Sequence, residues 1–147
     1  MLKTFSNKGE PGAIPLNAEN INFNFTDLDN RSISESGSNE TGRWIKFNDG
    51  TMITYQNVTI TLAVTENWGN SGVYVGNYAT PISFPQVFQE PPEVLIDLKL
   101  KQGAGWRVDW DFPVITTSSI QNIGMGRIGR HDSAKFVVSI FAIGKWK

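Results

Sequence analysis

The sequence predicts a mainly β protein: an antiparallel β-sandwich head over residues 43–147, preceded by a short N-terminal helix. Three observations predict it. Beyond Arg43 the chain divides into short runs rich in Val, Ile, Thr, Tyr, Phe and Trp, separated by clusters of Gly, Pro, Asn and Asp, the pattern of a sandwich of short strands. Asn48-Asp49-Gly50 separates the runs 44–47 and 51–55, and an Asp-Gly pair supplies the positive φ angles of a tight hairpin. No stretch after residue 43 has a helical period, whereas one before it does.

Residues 1–15 contain Gly9, Pro11, Gly12 and Pro15, too many breakers for a regular element, and are expected to form an extended arm. In 16–30 the apolar residues Ala18, Ile21, Phe25 and Leu28 follow a heptad seam, with Pro15 and Asn17 as start signals. A helix of about fourteen residues is marginal in isolation, because nucleation costs more than so few hydrogen bonds return. It therefore needs a partner, either the head of its own chain or copies of itself. Residues 31–42 are Ser- and Gly-rich with one apolar side chain, the composition of a linker.

In the head, residues 58–64 alternate apolar with small or polar side chains, and 93–100 place Val94, Ile96, Leu98 and Leu100 on one face. Strands are also expected over 106–112, 114–117, 119–128 and 135–143. Between them lie a long loop over 65–80 and a shorter one over 129–134 that carries His131.

Composition removes several classes of function. Thirteen basic against fourteen acidic residues give a net charge of −1, without the basic stripe that tracks a phosphate backbone, so no nucleic-acid partner is expected. No run approaches the roughly 20 apolar residues of a membrane span, and the first ten residues lack a signal-peptide core. The expectation is a chain made in the cytoplasm without a signal peptide and without membrane insertion. There is no cysteine and one histidine, which excludes thiolate sites and His-pair metal sites; no metal or cofactor is expected.

Catalytic equipment is thin. Asp109 and Asp111 bracket Trp110, but carboxylates two apart on a strand share a solvent face, whereas a glycosidase acid sits in an apolar pocket. Gly124-Met-Gly-Arg-Ile-Gly129 lacks the strand-to-helix context of a nucleotide-binding loop. His131 beside Asp132 has no nucleophile assigned to it. The chain reads as a non-enzyme. Its aromatics suggest a binding surface instead: Trp68, Tyr74, Tyr78, Trp106 and Trp110 lie in or beside loops and polar strands, among residues such as Asn70 and Asp109. Sugars suit such a surface, since their C–H faces stack on rings while their hydroxyls need polar partners. Trp44 and Trp146 are expected in the core or an interface.

Three segments carry a resemblance: Gly42-Arg-Trp-Ile-Lys-Phe-Asn-Asp-Gly-Thr-Met-Ile53, Ile82-Ser-Phe-Pro-Gln-Val-Phe-Gln-Glu-Pro-Pro-Glu-Val94 and Phe136-Val-Val-Ser-Ile-Phe-Ala-Ile-Gly-Lys-Trp146. In this order they resemble the C-terminal head of bacteriophage tail-fibre and receptor-binding proteins. The last two are also similar to the H-type lectin fold, a sandwich that trimerises and binds carbohydrate. Residues 14–25 look like the N-terminal helix of tail proteins of phages of Gram-positive bacteria, which favours a trimerising stalk over a docked helix.

The resemblance implies a homotrimer on the virion tail, recognising a host cell-wall saccharide and attached to other tail or baseplate proteins. By the lectin analogy its sugar site would use Arg107 together with Arg127, Arg130, His131 and Asp132, although Met125-Gly-Arg127 stands where the lectins have a tryptophan. The alternatives are a structural baseplate or tail-tip subunit, or a cell-wall glycan hydrolase.

Overall fold

In the computed structural model, which describes residues 25–29, 32–108 and 113–147, two long strands form the spine. Strand β3 (Thr51–Val64) and strand β12 (His131–Lys145) pair antiparallel from Thr51↔Lys145 to Val64↔His131, with a register shift near the His131 end. Period-two alternation sends Met52, Thr54, Gln56, Ile60 and Val64 inward from β3, and Ala134, Phe136, Val138, Ile140 and Ala142 inward from β12. Strands β1 (Ile33–Ser38) and β2 (Arg43–Phe47) extend the sheet on one side and β7 (Glu93–Leu100) on the other, in the order β1-β2-β3-β12-β7.

Two smaller antiparallel sheets cover its inner face. One has the order β6-β10-β9, from β6 (Ile82–Ser83), β9 (Val114–Ile115) and β10 (Ser119–Gln121). The other has the order β4-β5-β11-β8, from β4 (Glu66–Asn67), β5 (Val73–Tyr78), β8 (Gly105–Arg107) and β11 (Ile123–Ile128). Ile82, Ile120, Ile123 and Met125 from these sheets, with Phe84 and Phe88, join the inward residues of β3 and β12 in one core. The fold is mainly β and antiparallel, as the sequence predicts.

Several local expectations are corrected. Residues 33–38, expected as linker, are edge strand β1, registered on β2 through Ser36↔Ile45 and Gly37↔Trp44. The Asn39 side chain closes this hairpin by accepting the N–H groups of Thr41 and Gly42, each at 3.0 Å. Trp44 crosses Gly37 so closely that a Cβ there would lie 2.5 Å from its ring, and its indole N–H donates to Glu35 at 3.2 Å. The expected loop over 65–80 is largely a hairpin of β4 and β5 around a single 3-10 turn at Trp68–Asn70. The single strand expected over 119–128 breaks at Asn122, whose φ of 61° ends β10 and sends β11 into a different sheet. The loop expected over 129–134 shrinks, because β12 already starts at His131. Of the strand expected over 106–112, β8 ends at Arg107 and residues 109–112 lie outside the described residues.

Residues 25–29 are helical, with Phe25 66% and Leu28 51% exposed. The arm over 1–15, the seam residues Ala18 and Ile21, and most of the expected helix lie outside the described residues.

The two ends of the head differ. At one, the chain arrives from the N-terminal side: Asn48 donates its amide N–H to the Ser32 carbonyl and its side chain to the Asp29 carbonyl, both at 3.0 Å. There the β2–β3 turn, with Gly50 at φ 86°, is clasped by the C-terminal segment. The Trp146 backbone N–H donates to the Gly50 carbonyl, and its indole N–H to the Phe47 carbonyl, both at 3.0 Å. From this clasp the 14 residues of β3 run to the opposite end, about 40 Å away at the rise of an extended strand.

Candidate functional site

At that opposite end the connections following β3, β7 and β11 come together. Val64 and His131 face each other where β3 ends and β12 begins. Ile128 pairs with Val73, and the Gly129 N–H donates to the Gly72 carbonyl at 3.1 Å, which ties the β11–β12 turn to the Trp68 loop. The turn after β7 is tied to β12 by Lys101 N–H donating to the Lys135 carbonyl at 3.0 Å.

The Trp68 loop is built from left-handed backbone. Gly69, Asn70 and Gly72 have φ of 60°, 56° and 78°, a conformation that Gly and Asn adopt at low cost. Ser71 fixes the loop by donating its N–H and its hydroxyl to the Trp68 carbonyl, at 3.1 and 2.5 Å. The result holds Trp68 54% exposed at the tip.

Tyr74, Arg127 and Gly105 lie opposite one another across β5, β11 and β8, and cross-strand partners share a face. Tyr74 packs on the core from this face. Arg127, nearer the open end, reaches the turn after β7, so that a Cβ on Gly103 would stand 4.0 Å from its Nη2. Arg127, Lys101, Gln102 and His131 line a cleft of about 410 Å³, completed by Leu100, Ser133, Ala134 and Lys135. His131 Nδ1 accepts the Ser133 backbone N–H at 3.0 Å, which leaves the proton of the neutral ring on Nε2. Beside the cleft, Arg130 and Asp132 form a two-pronged ion pair of 2.7 and 3.2 Å. Both are mainly exposed, so the pair adds little to stability.

The residues singled out in the sequence therefore separate into groups. Arg127 and His131 line the cleft, Arg130 and Asp132 flank it, and Trp68 and Asn70 stand on the adjoining loop. Trp106 does not join them. It pairs with Gly126 on the other face of the small sheet, where its Nε1 would lie 3.1 Å from a Cβ on that glycine. Arg107 pairs with Met125 deeper along β11, and Asp109 lies outside the described residues. Lys101, Gln102 and Ser133 were not singled out. The signal for Lys101 and Gln102 was the Lys-Gln-Gly turn that follows β7; Ser133 had none.

Two carboxyls are held below their ordinary range, Glu35 by hydrogen bonds from Lys46 and Trp44, and Asp49 by the Thr51 backbone N–H. Glu35 belongs to the β1–β2 hairpin and Asp49 to the clasp, so neither is at the cleft. Among the described residues no group of three His, Cys, Asp or Glu side chains is placed to hold a metal ion, and no helix is long and apolar enough to cross a membrane. The cleft can offer hydrogen-bond donors and positive charge, and the neighbouring loop an aromatic face.

No family model matches the chain, and no curated protein matches it. Solved structures do. An N-truncated R1-type pyocin tail fibre aligns at 14% identity with a TM-score of 0.52, over 91% of this chain and 99% of that one. Two C-terminal fragments of P. aeruginosa pyocin fibres also align. The R1 fragment has 17% identity and a TM-score of 0.47, covering 96% of this chain, and the R2 fragment 15% and 0.44, covering 91%. The chain spans 39% and 31% of those two fragments. At 14% identity the first of these likenesses is one of fold alone: the chain shares the architecture of that tail fibre.

Proposed function

We propose that this chain is the receptor-binding head of a tail fibre, a binding protein and not an enzyme, and that the end carrying Trp68 and the cleft contacts saccharide on the host surface. The observation that carries this reading is polarity. The chain enters beside Asn48, while the exposed Trp68 and the open cleft occupy the far end of β3 and β12. A fibre that projects its head from a tail has its contact surface at the end away from the attachment.

One monosaccharide-scale site holds about 4 kcal/mol, near millimolar affinity, so a single head adheres poorly. Linked heads gain roughly 100- to 10,000-fold when geometry lets them engage together, and we take the working form to be a homotrimer attached to other tail proteins. The outer face of the five-stranded sheet supports self-association. Across β2, β3 and β12 it aligns Ile45, Ile53 and Ile143, and across β3, β12 and β7 it aligns Tyr55, Phe141 and Leu95. Leu95 is 71% exposed, and contiguous apolar side chains of this kind mark interfaces. Nearer the cleft the same face turns polar, with Asn57, Ser139 and Asp97.

The test is a glycan array probed with the full chain clustered on a multivalent carrier. The expected result is retention on a defined set of surface glycans, reduced at least fivefold by Trp68→Ala. Retention on none of them, or release of reducing ends from the glycan bound, contradicts the reading.

A further inference from the structure

Three of the eight residues lining the cleft are the cations Lys101, Arg127 and Lys135, with His131 beside them, and none is acidic. Among the described residues Lys101, Arg127 and Lys135 take part in no ion pair, whereas the neighbouring carboxylates are already engaged, Asp132 by Arg130 and Asp97 by Lys99 at 3.5 Å. Glu66 pairs with Val75 and so lies on the other face of the small sheet from Arg127. Asp109 and Asp111 lie outside the described residues. Positive charge is thus gathered at one concave site in a chain whose net charge is −1.

Resting on the receptor-binding reading, we propose that this cleft takes an oxyanion, a phosphate or carboxylate carried by the surface glycan. Three features favour this over a neutral sugar unit. The Arg127 guanidinium reaches over the turn after β7, where it offers the paired donors that phosphate and carboxylate accept. Its Nε is already committed to the Ile128 carbonyl at 3.3 Å, which leaves the outer nitrogens for a ligand. Lys101 and Gln102, both exposed, come from the same turn. Lys135 alternates with the buried Ala134 and Phe136 along β12, so it belongs to the rim and acts as a longer-range charge.

The cleft volume, about 410 Å³, lies near the lower end of ligand sites and suits one charged sugar or glycerol phosphate unit. A polynucleotide would need a cationic track along a face, and here the neighbouring cations Arg130 and Lys99 are each paired with a carboxylate. Trp68, 54% exposed on the loop tied to the β11–β12 turn, would offer an aromatic surface to the next unit of the glycan.

The test is an amide-resolved NMR titration of the full chain with three probes: glycerol phosphate, glucuronate and glucose. The expected result is saturable shifts at residues 101–103, 127 and 131–135 with an anionic probe, at a Kd near millimolar. Lys101→Gln and Arg127→Gln should each weaken it about tenfold, the loss expected for one charge-assisted contact. Lys147→Gln, at the opposite end of the head beside Trp146, should leave it unchanged. Binding of glycerol phosphate alone supports a phosphodiester glycan, and equal binding of glucuronate supports an acidic sugar. Anion binding that both cation variants preserve overturns the cleft assignment. Shifts from glucose over 65–72 without any from the anions overturn the oxyanion while leaving the receptor-binding reading in place. No shift from any probe, with retention on the glycan array, likewise overturns only the oxyanion; no shift and no retention overturn both.

Discussion

Trp146 joins the closing segment of the chain to its opening hairpin, and two substitutions there separate the contributions. Trp146→Phe removes the indole N–H that donates to the Phe47 carbonyl at 3.0 Å. That carbonyl also accepts the Gly50 N–H at 3.0 Å, so it is not left unpaired, and the cost is one ordinary hydrogen bond, about 1 kcal/mol. Trp146→Ala further removes the packing of the ring on the core and the cations over its face, Lys46 at 5.4 Å and Lys147 at 4.9 Å. Full truncation of a core aromatic costs about 3–5 kcal/mol. Trp146 is only partly buried, and each cation contact on its face is worth about 0.5 kcal/mol, so about 3 kcal/mol is expected for Ala. Urea unfolding followed by far-ultraviolet circular dichroism measures both without relying on the fluorophore that is removed. In a head of this size the Phe change should lower Tm by about 4–8 °C. An Ala variant within about 0.5 kcal/mol of the parent would refute the clasp, and a Phe variant as damaged as Ala would refute the division between bond and packing.

Other substitutions probe separate parts of the structure. Gln56 is 2% exposed, and neither its Oε1 nor its Nε2 has a hydrogen-bond partner; Gln56→Met keeps the volume and should raise stability by about 1–2 kcal/mol in urea, whereas a loss would mean that the amide is satisfied. A Cβ at Gly126 would lie 2.7 Å from Val108 Cγ2, so Gly126→Ala should cost about 1–3 kcal/mol and alter the Trp106 environment in near-ultraviolet dichroism. Glu35 and Asp49 both have lowered pKa values in the folded chain. Their stabilisation is therefore present above the unfolded carboxylate range and fades as pH falls through about 4. Glu35→Gln and Asp49→Asn should lose less stability than the parent between about pH 5 and pH 3, and parallel pH profiles would count against this.

What the sequence made legible was whatever a local rule governs. The Asp49-Gly50 turn and the alternation along 58–64 and 93–100 follow from backbone geometry and one buried face, and the structure has them. Strand β1 was hidden because an exposed edge strand needs no apolar face; only its pairing with Trp44 and Lys46, through Glu35, reveals it. The break at Asn122 did leave a trace. Ile120 and Ile123 are both fully buried, and a spacing of three cannot hold both on one face of a continuous strand.

The cleft was legible only in part. His131 stood out as a loop residue and Arg127 only through the lectin resemblance, and their meeting with Lys101 depends on the β5-β11-β8 and β7-β12 registers, which no local pattern sets. Trp106 stands apart from the cleft for a similar reason. Its exposure depends on what packs against Gly126, and Val108 lies there too.

The central claim is that recognition takes place at the end of the head opposite the entry of the chain. Hydrogen–deuterium exchange of the full chain, with and without a polysaccharide retained on the array, tests it directly. The account predicts protection confined to 65–72, 100–104 and 127–135. Protection over 43–55 and 140–147 instead would contradict it.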